Sequence, residues 1–212
     1  MLHYPADAAQ PKAAGDHVLL VLAHGAGAGQ RHPFMVTIAR GLAERGIDVA
    51  TFDFPYIREK RRVPDKAPVL EAAFSEAIVE ARARVAAPHR LFIGGKSMGG
   101  RMATHLAAQG FEGLHGVVAL GYPLHPPGKP EQPRVAHLPK IAVPVLIVQG
   151  ERDAFGTPAE LGPVIQSMPA PVTLHVVAGG DHSLAVRKSG GVTQKDVYAT
   201  VLDTIAAWMR TL

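Results

Sequence analysis

Short, nearly unbroken apolar runs alternate along this chain with stretches in which apolar residues recur at helical spacing. Six runs read as buried strands: Val18–Ala23, Val49–Phe54, Leu91–Gly94, Gly116–Gly121, Val145–Gln149 and Val172–Val177. Strands that are apolar on both faces belong to parallel sheets covered by helices on each side. Between these runs, Pro33–Ala43 reads as a helix, and Leu70, Phe74, Ala77, Ile78, Ala81 and Val85 make one apolar helical stripe. A helical pattern also follows at Arg101–Leu106. Val197, Val201, Ile205 and Trp208 mark a last helix, with Thr193 at its N-cap and Asp196 three positions on. This alternation predicts an α/β protein, a three-layer α/β/α sandwich on a mostly parallel sheet of about six to seven strands.

Residues 1–16 are polar and punctuated by proline, and read as an arm or a single edge strand. No repeat, low-complexity tract or linker divides 17–212, which reads as one domain. Three connections after strand C-termini stand out, and that edge is where open α/β sheets bind ligands. His24–Gly29 is glycine-rich. Pro55–Ala67 carries Arg58, Lys60, Arg61, Arg62 and Lys66 against Glu59 and Asp65. Tyr122–Val143 has six prolines in 22 residues, which predicts a stiff, extended path with no cap domain and no helical lid.

Composition narrows the chemistry. Among 212 residues there is no cysteine, which excludes disulfides, thiolate metal sites and a cysteine nucleophile. The longest apolar stretch, Ile141–Val148, is eight residues and contains Pro144, far short of the roughly 20 that span a bilayer. Met1–Asp7 shows no basic, apolar leader, so no membrane association and a cytoplasmic location are expected. A net charge of +4 is mild and does not point to nucleic acid.

The chemistry concentrates at Gly95-Lys96-Ser97-Met98-Gly99, which follows a strand and opens a helix. Strand, G-x-S-x-G, helix is the context of a nucleophile elbow. Gly95 and Gly99 leave room for a sharp turn that presents Ser97 above the sheet. A serine hydroxyl needs a base, usually a histidine oriented by a carboxylate, in chain order Ser, acid, His. Asp153 follows the fifth strand and His182 the sixth, both at the same sheet edge as Ser97. Glu151 and Asp181 are the competing carboxylates; Asp153, shorter and stiffer and three residues past Gly150, fits the expected position better than Glu151, and Asp181, adjacent to His182 and so pointing a different way, reads as a turn or capping residue. The oxyanion hole is expected from the N–H groups of Met98 and Ala26, with His24 in a structural hydrogen bond. Gly27, Tyr122 and His125 are expected to contact substrate, and His137 shares their loop region. No histidine pair has H-E-x-x-H spacing, so no metal site is expected, and no cofactor is implied.

His24-Gly25-Ala26-Gly27, Gly95–Gly99, Gly150-Glu151-Arg152-Asp153 and Gly180-Asp181-His182, in this order, resemble the α/β-hydrolase superfamily over residues 17–212. More narrowly, the chain is similar to small capless hydrolases related to the dienelactone-hydrolase group. Asp53-Phe54-Pro55-Tyr56 and Gly121–Pro127 are similar to a bacterial branch of that group whose animal relatives include a subunit of a chromatin acetyltransferase complex. The dienelactone enzymes use a cysteine nucleophile, which is absent here, and the usual leading antiparallel strands are missing or cut to one.

The reading that follows is a serine hydrolase acting on small, short-acyl esters or thioesters through an acyl-enzyme on Ser97. Its expected partner is that small molecule; a homo-oligomer is not indicated. The alternative is a non-catalytic hydrolase-fold binding or scaffold protein. Nucleotide binding fails its fingerprints: the first glycine of a P-loop would be Arg90, and the glycine-rich loop has Gln30 where G-x-G-x-x-G needs glycine.

Overall fold

Successive side chains of a strand point to opposite faces, and in Val18–Ala23 (β2) both sets are apolar. Leu19, Val21 and Ala23 enter one buried cluster; Val18, Leu20 and Leu22 enter another on the opposite face. This strand lies in the middle of a seven-stranded sheet of order β1-β3-β2-β4-β5-β6-β7 in the computed structural model, which describes residues 1–7, 17–85, 89–187 and 192–212. The other strands are Leu2–Tyr4 (β1), Asp48–Phe52 (β3), Arg90–Lys96 (β4), Leu114–Leu120 (β5), Val145–Gly150 (β6) and Val172–Val177 (β7). All pairings are parallel except β1 with β3, where Leu2 opposes Thr51. The proline-punctuated start thus supplies one edge strand; the rest of the expected arm, residues 8–16, lies outside the described residues.

Pro33–Ala43 (α1) and Gln194–Arg210 (α6) cover one face of the sheet. Ala67–Arg84 (α3), Met98–Ala108 (α4) and Pro158–Gln166 (α5) cover the other, and Pro55–Arg58 (α2) is a single turn before α3. Helix starts follow the sequence closely. Pro33 opens α1, and Thr193 and Asp196 form the expected reciprocal cap at α6. The α3 stripe from Leu70 to Ala81 is buried, whereas Val85 falls past the helix in extended backbone.

Strand bounds shift at several places; β5 runs Leu114–Leu120 where Gly116–Gly121 was expected, and β6 extends to Gly150. β3 ends at Phe52, not Phe54, because Asp53 turns away to accept hydrogen bonds from Gln30 and the Phe54 N–H donates to His24 Nε2. β4 continues to Lys96, in register with Leu120 of β5. β7 is an edge strand, opposite β1, so Val176 is 43% exposed where complete burial was expected. Between β5 and β6 the chain adds only one 3₁₀ turn, Leu138–Lys140, and no cap domain. No described helix is long and apolar enough to cross a membrane.

The order of crossovers places the site. From β2 the chain passes to β3 on one side, then returns over β2 to β4 on the other. The C-terminal ends of β2 and β4 therefore flank the topological switch point, where a crevice opens in folds of this kind.

Candidate active site

Ser97 stands between β4 and α4 with φ 50° and ψ −113°, a backbone conformation that costs a non-glycine residue of order 1–3 kcal/mol. Close packing holds it there. A Cβ on Gly95 would lie 2.5 Å from the Ala23 carbonyl oxygen, and one on Gly99 would lie 2.4 Å from the same atom. Only glycine lets α4 start this tightly against β2. The reward is position: Ser97 projects from the strand end with the first turn of α4 directly behind it.

Two other strand ends converge on that hydroxyl. Asp153 lies just past β6 and His182 past β7. His182 Nε2 is 2.8 Å from Ser97 Oγ, and its Nδ1 is 2.8 and 3.0 Å from the two Asp153 carboxylate oxygens. The carboxylate can only accept, so Nδ1 carries the proton and the Nε2 lone pair accepts from the serine hydroxyl. Asp153 is 1% exposed, and its oxygens also accept from the Phe155 N–H at 2.8 Å and Gln149 Nε2 at 2.9 Å. Phe155 stacks on the His182 ring with centroids 4.0 Å apart.

The competing carboxylates are engaged elsewhere. Asp181 accepts from the N–H groups of Ser183 and Ala185, the turn role expected of it, and Glu151 accepts from the Gly179 N–H. His24 is fully buried and structural: Nδ1–H donates to the Gly25 carbonyl at 2.8 Å and Nε2 accepts from Phe54 N–H at 3.1 Å. Burial pushes its pKa down, which suits a neutral ring.

A cavity of about 670 Å³ opens over Ser97 and His182, within the range of small-molecule sites. Ala26 and Met98 both lie in its wall. Met98 is the first residue of α4, where a backbone N–H has no partner within the helix, and the helix dipole adds positive potential. Gly27, Tyr122 and His125 were expected in this wall and are not among its residues. Tyr122 is instead buried with its hydroxyl donating to the Arg134 carbonyl, and His125 sits against Pro126 and Glu160. Both are turned inward because the proline-rich connection folds down onto the sheet edge.

The model of the alpha/beta hydrolase domain matches residues 16–210. The chain belongs to the α/β-hydrolase family. Among solved structures this α/β hydrolase is similar to a dienelactone hydrolase from Anabaena variabilis, at 17% identity over 93% of this chain and 87% of that one, with a TM-score of 0.68. It is similar to Est1E from Butyrivibrio proteoclasticus with ferulic acid bound, at 15% identity over 98% and 93%, TM-score 0.73. A monoacylglycerol lipase from Paleococcus ferrophilus matches at 16% identity over 93% and 96%, TM-score 0.69. At such identities the likeness is one of fold.

Four residues of this α/β hydrolase escaped the sequence reading. Gln149 is completely buried: its Oε1 accepts from Tyr122 N–H, and its Nε2 faces Tyr122 O, Gly156 O and Asp153 Oδ2. It ties the ends of β5 and β6 to the Asp153 loop, and its signal was a lone amide closing an apolar strand. Lys96, the residue before Ser97, buries its ammonium without a hydrogen-bond partner among the described residues. Burial drives its pKa from 10.5 to about 8, against the opposing pull of Asp153 and Asp181. Arg101 and Arg134 line the cavity, and no local motif marks either.

Proposed function

We propose that this protein is a serine hydrolase of carboxylic esters or thioesters. The carrying observation is the hydrogen-bonded series Ser97–His182–Asp153, with 2.8 Å at each link, opening into one cavity. The esterase and lipase names among similar folds support the ester class.

In this reading Ser97 Oγ attacks the substrate carbonyl while His182 Nε2 takes its proton. Buried Asp153 keeps the proton on Nδ1 and stabilises the imidazolium that forms. The Met98 and Ala26 N–H groups receive the developing oxyanion. The tetrahedral species collapses to an acyl-enzyme as Nε2 returns the proton to the departing alcohol or thiol. Water, deprotonated by the same nitrogen, then releases the acid. The chain's own residues complete this cycle, and the reading calls for no cofactor. Without a cap domain to cover a long acyl chain, the proposed substrates are small and short in the acyl part.

A fluorophosphonate probe tests the reading directly. It should label the native protein at Ser97, and Ser97→Ala should remove both labelling and hydrolysis of 4-nitrophenyl acetate. Full labelling of the Ser97→Ala protein would overturn the assignment.

A further inference from the structure

Among the described residues, two guanidiniums in the wall of the Ser97 cavity have no carboxylate to balance them. Arg101 lies on α4 four residues past Ser97, about 6 Å along the axis. Its N–H donates to the Ser97 carbonyl, and helical side chains lean toward the N-terminus, here toward the serine. The Nε of Arg101 is buried without a hydrogen-bond partner among the described residues. Arg134 reaches the same cavity from the connection between β5 and β6. Its backbone is clamped from both sides: its N–H donates to Leu124 O and its carbonyl accepts the Tyr122 hydroxyl, each at 2.7 Å. Among the described residues neither side chain forms an ion pair.

The surroundings do not compensate. Lys96 is a third cation in the wall. The acid there, Asp65, is already held by Arg61 at 2.7 Å and by the Tyr56 N–H. Burial and then the charge of Arg101 push the Arg134 pKa down, so the two cations repel one another. Neighbouring His137 is pushed to about 4 by burial, by His105 and by Arg101. A guanidinium without an ion-pair partner at a cavity wall presents a planar fork of N–H donors suited to a planar or tetrahedral oxyanion.

We propose that Arg101 and Arg134 form a subsite for an oxyanion group, a carboxylate or a phosphate, carried by the ester or thioester that Ser97 cleaves. The proposal rests on the serine-hydrolase reading for the bond that is broken, and on the two arginines for the anion. It gives Tyr122 a purpose as the residue that positions Arg134 from below. Two guanidiniums balance a phosphate monoester of about −2 charge and over-balance one carboxylate, so phosphate is the stronger expected ligand.

The test compares matched esters on the wild type, Arg101→Gln, Arg134→Gln and the charge-keeping Arg101→Lys. Phenyl acetate and 4-nitrophenyl butyrate are the neutral members. Mono-4-nitrophenyl glutarate carries a carboxylate, and 3-acetoxyphenyl phosphate a phosphate. The ratio of kcat/KM, anionic over neutral, should fall about ten- to a hundredfold in each Gln variant, the scale of losing a charge-assisted hydrogen bond. Arg101→Lys should fall in between and keeps the test usable should Arg101→Gln not fold. Inorganic phosphate should bind the wild type by calorimetry and lose that binding in the Gln variants. An unchanged ratio, or equal losses on neutral and anionic esters, overturns the subsite. If no ester is cleaved and no fluorophosphonate reacts, the serine reading has failed, and the subsite is then judged by phosphate binding alone. Binding lost in both Gln variants sustains it, and absence of binding to the wild type overturns it.

Discussion

Lys96 offers a sharp test of the electrostatics at this sheet edge. Its ammonium is buried near Gly121 and His182, with no hydrogen-bond partner among the described residues, and its pKa is driven from 10.5 to about 8. A lysine held that far below its unfolded value costs the folded state about 3 kcal/mol at neutral pH. The sign follows from proton counting. Between pH 8 and 10.5 the unfolded chain binds more protons at this position than the folded one, so stability rises with pH across that window. Below pH 8 the full cost applies; above 10.5 it has vanished. By pH 9.5 less than half of it remains. Lys96→Met keeps the length of the side chain and removes the charge. Urea unfolding of both proteins at pH 7 and pH 9.5 gives the difference at each. The advantage of the Met variant should shrink by about 2 kcal/mol between them. A difference that is the same at both pH values would refute the argument, whatever its size, because packing changes do not titrate.

Three further outcomes follow from the geometry. Asp153→Asn should lower kcat by about 10⁴-fold through loss of the required histidine tautomer, whereas Asp181→Asn keeps an oxygen for Ser183 and Ala185 and should be mild; reversed effects in steady-state kinetics would reject Asp153 as the orienting acid. Gln149→Leu leaves Tyr122 N–H and O, Gly156 O and an Asp153 oxygen short of partners, and should destabilise by about 3 kcal/mol or more in urea unfolding while kcat falls; a neutral effect would mean water replaces the amide. On a 4-nitrophenyl ester series, kcat/KM should peak between acetate and butyrate, since each buried methylene is worth about 0.8 kcal/mol only while there is wall to cover it. A continued rise to octanoate would reveal a covered acyl tunnel.

Local chemistry made part of this protein legible. Apolar runs specify strands because a strand buried on both faces tolerates no polar side chain, and caps such as Thr193 with Asp196 specify helix starts through short-range hydrogen bonds. The elbow was equally plain, because Gly95 and Gly99 are demanded by backbone approaches to Ala23 that no other residue permits. Chain order left Glu151, Asp153 and Asp181 all eligible, and side-chain length and adjacency favoured Asp153; in the fold Asp153 lies beside His182 Nδ1, while Glu151 and Asp181 accept from backbone N–H groups.

Only the tertiary structure decided the rest. Whether Tyr122 and His125 faced the cavity or the interior depended on how a proline-rich connection packs, and it packs inward. The Gln149 bonds join residues up to 27 positions apart, and no local pattern encodes such pairings. Arg101 and Arg134 share a wall because α4 and the β5–β6 connection meet above one strand end. Burial, which turns Lys96 from a surface cation into a strained one, is a property of everything packed around it. Sequence writes the local rules of strand, cap and turn; the charges and pockets between distant segments exist only once the sheet has brought those segments together.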